Sequence, residues 1–220
     1  MIKSSILMST LKSKTQTEIL LVSLGIPFHD RVSLIEKEQE SEIRSAQDIA
    51  QRILILTYLI YISNVEEDRL EIIEFLKKEN LWDSVTGNER KLFLKKKLTK
   101  KERINISWRS EGILILLFTI NKIEKLELPQ QEIEMDAIFN QIPDFMTKTE
   151  AFVKSAVIRS PTEILDLWDL IYRIHWAVRN VKLNNLAPLD VDSSIVIERH
   201  HAINWVTNSS LNWDDVITDT

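Results

Sequence analysis

The chain has 220 residues, of which 44% are hydrophobic and 28% charged, with a formal net charge of −5 and no cysteine. That is the balance of an ordinary globular chain, long enough to bury a sizeable core. It excludes disulfides, thiolate metal sites and cysteine nucleophiles, and its mild acidity disfavours general nucleic-acid binding.

Three glycines and five prolines are too few for the tight turns of an all-β fold, so helices are expected. Residues 1–14 read as a flexible N-terminal arm, and Thr15 to Leu24 as the first helix. Past Gly25-Ile26-Pro27, the stretch Val32-Ser33-Leu34-Ile35 reads as a short extended piece within residues 31–35. Four helix starts pair a capping hydroxyl with an acid three residues on. They are Ser45 with Asp48, Thr86 with Glu89, Thr99 with Glu102, and Ser160 with Glu163. The first opens an apolar stretch to Ile62, the second a short basic one, and the third a stretch to Ile120. The fourth runs to about Leu183, with Pro161 at the first helical position. Further helices are expected over Glu66 to Glu79, Glu132 to Phe139 and Ser194 to Val206. The run Ile53 to Ile62 falls short of the roughly 18 to 20 residues of a membrane span, and Met1 to Met8 lacks a signal-peptide pattern. The expectation is an all-α, compact, bundle-like single domain over 15–220, cytoplasmic and without contact to a membrane.

The last third concentrates unusual residues, with three of the four histidines and four of the six tryptophans. On the helix from Pro161, Asp166, Asp169, Arg173 and Asn180 share one stripe, and Asp169 and Arg173 are spaced to pair. His175 falls on the apolar side, between Ile164, Trp168 and Ile171. Arg199 sits amid Ile195, Ala202, Ile203 and Val206, and Glu111 amid Ile104, Ile115 and Phe118. A guanidinium in a core demands a carboxylate. Arg109, Glu111, Asp166, Asp169, Arg173, His175 and Arg199 are therefore expected to form one polar network joining three helices. Trp213 is expected to dock into the core, with Asp214 or Asp215 capping a final turn.

Several patterns here resemble a bacterial family, the domain of unknown function 4272 family. They are Trp108-Arg109 with Glu111, Glu163-Ile164-Leu165-Asp166 with Asp169, Tyr172-Arg173 and His175-Trp176, Glu198-Arg199-His200 with Asn204-Trp205, and Trp213-Asp214-Asp215 with Asp219-Thr220. Leu24-Gly25-Ile26-Pro27, Arg44-Ser45-Ala46 and Leu81-Trp82 fit as well. The family's further tryptophan and glycine in the Trp108 helix are replaced by Leu117-Phe118-Thr119-Ile120. The resemblance implies a single compact domain and carries no chemistry.

As a pocket, the same region offers Glu111, Tyr172, Arg173, His175, Arg199 and His200 for acid–base work. No glycine-rich phosphate loop, zinc-protease helix or nucleophile elbow accompanies them. The adjacent His200-His201 pair diverges by about 100° on a helix and makes a poor chelate, so neither metal nor cofactor is expected. Elsewhere, Lys95, Lys96, Lys97, Lys100 and Lys101 face only Glu102, with Phe93 as the sole aromatic in that stretch. The plain reading is a solvated helix connection. The functional one is a patch for an acidic protein, since base stacking lacks aromatic partners. The leading expectation is a non-enzymatic protein that binds another macromolecule, as an immunity or accessory factor does. The rival is an enzyme built on the buried polar residues.

Overall fold

A computed structural model describes residues 5–6, 14–28 and 42–220. The chain is mostly helical. Its α-helices are α1 (Lys14–Ser23), α2 (Ala46–Asn64), α3 (Arg69–Lys78), α4 (Gly87–Leu94), α5 (Lys100–Ser107), α6 (Arg109–Thr119), α7 (Met135–Phe139), α8 (Glu150–Lys154), α9 (Pro161–Leu183) and α10 (Ser193–Val206). Two short strands, β1 (Ser5–Ile6) and β2 (Leu126–Glu127), pair antiparallel, with Ser5 opposite Glu127. Of the expected N-terminal arm, only Ser5–Ile6 and Lys14 fall within the described residues; the extended piece expected at 31–35 lies outside them.

The packing order follows from where apolar residues surround a helix rather than stripe it. α2 and α6 are apolar nearly all round, and such helices must be covered on all sides. Ile53, Ile55, Leu56 and Ile62 of α2 and Ile113, Ile115, Leu116 and Leu117 of α6 are fully buried. α6 packs on α2 and α10, α10 packs on α9, and α1 lies against α9. The α6–α10 crossing is close because Gly112 faces Ala202: a Cβ built at Gly112 would sit 3.7 Å from the Ala202 methyl and 3.8 Å from Trp213. There is room for one methyl group there, and a longer side chain would push the helices apart.

The capping hydroxyls act where the sequence placed them. Thr86 and Thr99 each accept from the backbone N–H three residues on, and Glu89 and Glu102 return the bond. Ser45 and Ser160 accept from Asp48 N and Glu163 N. The expected helix from Thr99 to Ile120 is broken at Trp108. There the Glu111 N–H bonds back to the Trp108 carbonyl, three residues away, while the Ser107 and Ser110 hydroxyls donate to the carbonyls of Ile104 and Ser107. Hydroxyls of this kind compete with the helical ladder and bend it. The helix expected from Glu132 begins only at Met135, because the Ile133 N–H is taken by the Glu111 carboxylate.

Helix ends follow a common rule. α1, α3, α6 and α9 are each followed by a residue in the left-handed region: Gly25, Asn80, Asn121 and Asn185. In all four, the next N–H reaches back to the helix (Ile26 to Leu21 O, Leu81 to Leu76 O, Lys122 to Leu117 O, Leu186 to Val181 O), closing a Schellman motif. Asparagine stands in for glycine because its short amide tolerates this conformation. Asn80→Ala should therefore cost about 1–2 kcal/mol, whereas Asn80→Gly should leave the urea midpoint near that of the parent. Equal midpoints for the two variants would remove the argument.

Candidate functional site

The polar residues of the C-terminal third do meet acids and each other, at different helix seams. Between α6 and α10, Glu111 is 0% exposed, and its Oε2 receives Arg199 Nε and Nη2, both at 2.9 Å. Oε1 accepts the Ile133 N–H at 2.7 Å, and Arg199 Nη1 donates to the Glu127 carbonyl of β2 at 2.6 Å. This pair thus ties α6, α10, the small sheet and the segment before α7 together. Arg109 adds a second bond across the same seam, to Glu198 at 2.8 Å. Burial pushes the Glu198 carboxyl up, against the opposing pull of Arg109.

Between α9 and α1, Arg173 bonds Asp169 on its own helix at 2.8–2.9 Å and lies 3.6 Å from Glu18. Asp166, half-buried, precedes Asp169 by one turn. Between α9 and α10, His175 Nδ1 and His200 Nδ1 are 2.7 Å apart, with Tyr172 edge-on to the His200 ring. One imidazole must donate and the other accept, so in the neutral pair the two rings hold opposite tautomers. Burial lowers the pKa of both, that of His200 to about 3. The seven residues expected in one network are therefore distributed over separate seams.

Arg199 borders an apolar slot of about 30 Å³, space for a water or two. The larger polar clefts lie on either side of Trp213 and contain none of Glu111, Tyr172, Arg173, His175, Arg199 or His200. One cleft, of about 240 Å³, is bordered by Arg109, Asn88, Asp214 and His201. His201 stacks on Trp213 at 4.5 Å, and its Nε2 lies 3.0 Å from the Trp213 carbonyl. Burial lowers its pKa to about 4. An imidazole so weakly basic is poorly matched to proton transfer near neutral pH. Among the described residues, no three His, Asp or Glu side chains converge as metal ligands.

Trp213 docks as the sequence suggested, 3% exposed and edge-on to Trp205. The capping differs: Asn212 caps the final turn, and Asp214 instead accepts from Thr86 Oγ1 and the Asn88 N–H at the start of α4. That acid at a helix N-terminus pins the tail to α4. Sequence reasoning also missed a second buried ion pair. Arg52 of α2 donates to both oxygens of Glu89 at 2.7 and 2.8 Å and to the Ser84 carbonyl. An arginine inside the apolar stretch from Ile49 to Ile62 was the signal for it, the same signal that singled out Arg199.

The accessible charge lies between α4 and α5. Lys95, Lys96, Lys97, Lys100 and Lys101 are all exposed. The backbone beneath them is held from below: Arg69 Nη1 donates to the Lys96 carbonyl at 2.9 Å, and the Leu98 N–H donates to Glu66 at 3.1 Å. Arg103 clamps Glu66 in turn, and Phe93 and Leu98 are buried as anchors. Among the described residues, only Lys95 of the five has an acid within ion-pair distance, Glu102 at 2.8 Å. Lys95 and the Thr99 cap hold the Glu102 carboxyl down at about 2.

A family model described as Domain of unknown function (DUF4272) matches residues 13–216. The chain belongs to that family. No curated protein and no solved structure gives a significant match. The DUF4272 match covers all three seams, both clefts beside Trp213 and the lysine turn, so each is part of the family domain rather than an appendage. No helix among the described residues is long and apolar enough to cross a membrane.

Proposed function

We propose that the domain acts in the cytoplasm by binding an acidic protein partner through the lysine turn between α4 and α5. The observation that carries this reading is the fixed backbone under the five exposed lysines, held by Arg69, Glu66 and the Thr99 cap. A solvated linker needs no such support, whereas a preorganised patch loses less entropy on binding. Leu94 and Ile104 are exposed beside it, an apolar margin suited to a protein surface and of little use on a phosphate backbone. The rival reading, an enzyme using Glu111, Tyr172, Arg173, His175, Arg199 and His200, draws less support. Glu111 and Arg199 are spent on each other and on backbone groups, and the two histidines face one another.

The test is a Lys96/Lys97/Lys100/Lys101→Glu variant, which spares the Lys95–Glu102 bond. Glutamates at the first turn of α5 favour that helix terminus, so the variant should fold. Titrated with poly-glutamate at low salt, wild type should bind and the variant should lose at least about ten-fold in affinity, on the order of four charge contacts. Binding by wild type to duplex DNA in preference to poly-glutamate, or equal binding by the variant, would refute the proposal.

A further inference from the structure

We propose that the cleft between the start of α2 and the C-terminal tail is a binding site for a small oxyanion, a carboxylate or a phosphate. The cleft measures about 310 Å³ and opens on the opposite side of Trp213 from His201. Its central feature is Arg44, whose guanidinium lies on the Trp205 indole with Cζ 3.9 Å from the ring centroid. Nε donates to the Trp205 carbonyl at 3.2 Å, and Nη2 to the carbonyls of Asn208 and Leu211 at 2.9 and 2.6 Å. All these acceptors are neutral. Among the described residues no carboxylate comes within ion-pair distance of Arg44, and its Nη1 has no protein acceptor. The group is thus held in place by three carbonyls and an aromatic face, while Asp48 pulls on its charge without reaching ion-pair distance.

The rest of the cleft is rich in donors. Gln51 accepts the Ser84 hydroxyl on Oε1 at 3.1 Å, leaving both hydrogens of its amide nitrogen unspent. Asn212 accepts the Asp214 N–H on Oδ1 at 3.0 Å and likewise keeps its amide nitrogen available. Arg52 forms part of the wall, 5.6 Å from the Trp205 centroid; Glu89 engages its Nη1, and its Nε has no acceptor. Two acids oppose an anion. Asp48 lines the cleft, and Glu42 accepts the Ser209 hydroxyl at its edge. An anion with several oxygens fits this arrangement, because it accepts from Arg44 Nη1 and from the two amide nitrogens together. A cation would meet Arg44, and a purely apolar ligand would strand the donors.

The experiment follows the fluorescence of Trp205 and Trp213 in the full chain during titration with inorganic phosphate and, separately, with acetate. Sodium chloride at matched ionic strength is the control. A saturable change with phosphate, acetate or both is expected, and which of them acts assigns the chemistry of the ligand. Gln51→Glu keeps the bond from Ser84 but sets a negative charge in the cleft, and it should abolish the response. Asp48→Asn removes the opposing acid and should tighten binding about five-fold. The four-lysine variant should respond like wild type, which separates this site from the surface proposed above. No saturable change with either anion beyond the chloride control would overturn the inference. So would a Gln51→Glu protein that responds as wild type does.

Discussion

Glu111→Ala is expected to cost about 3–5 kcal/mol, a large share of the stability of a domain this size. The loss comes mostly from what stays behind. Arg199 is 5% exposed and would remain charged in the core, and the Ile133 N–H would lose its acceptor. Glu111→Gln keeps an acceptor for Ile133 but still strands the guanidinium, so most of the loss should persist. Urea denaturation followed by far-UV circular dichroism gives the answer. A midpoint for Glu111→Ala equal to that of wild type would mean that the pair does not hold the α6–α10 seam.

Acidification should be nearly as damaging, and earlier than carboxylate protonation alone would make it. His175, His200 and His201 all have lowered pKa values in the fold, chiefly through burial; His200 falls to about 3 and His201 to about 4. Arg179 lowers His175 further, the Arg109 charge lowers His201, and Asp219 and Asp214 pull the other way. Unfolded imidazoles take up protons near pH 6.5, while in the fold His201 resists until about pH 4 and His200 until about pH 3. Between those limits the unfolded state binds more protons, so stability must fall as the pH falls. Two such histidines amount to about 3–5 kcal/mol between pH 6.5 and 4.5. Glu198, whose pKa is raised, opposes this by gaining protons first in the folded state. Melting curves from pH 7.5 to 4.5 should show the decline beginning near pH 6.5, and a His200→Gln variant should show a shallower one. A flat profile down to pH 5 would contradict the burial of neutral imidazoles.

Helix positions were legible wherever local chemistry decided them. Ser45, Thr86, Thr99 and Ser160 are capping residues by short-range hydrogen bonding, and each caps a helix. Pro161 and Leu183 bound α9 at the residues expected. The break at Trp108 and the late start of α7 were not legible. The late start of α7 depends on a bond formed at a distance, the reach of Glu111 to Ile133; the break at Trp108 rests on local hydroxyl bonds that compete with the helical ladder, whose outcome periodicity does not decide. The inward direction of Arg199 and Glu111 could be read from the apolar residues around them in sequence. Which acid met which base could not: helix periodicity fixes a face but not the neighbour it meets. Arg173 was spaced for Asp169, yet Glu18 on α1 also comes near it. The cleft over Trp205 was invisible for the same reason, since Arg44 lies 161 residues before the carbonyl that orients its Nε.

The central claim is that the charges buried in the C-terminal third hold the helices together, while binding is left to the surface. A double-mutant cycle on Glu111→Leu and Arg199→Met tests it most directly. Each single variant leaves one unpaired buried charge, whereas the double variant leaves none, so the two losses should be strongly non-additive. The account predicts a coupling of about 2–3 kcal/mol and a double variant that is more stable than either single one. It also predicts that the folded double variant binds poly-glutamate as wild type does. Additive losses, or a stable double variant that no longer binds, would contradict it.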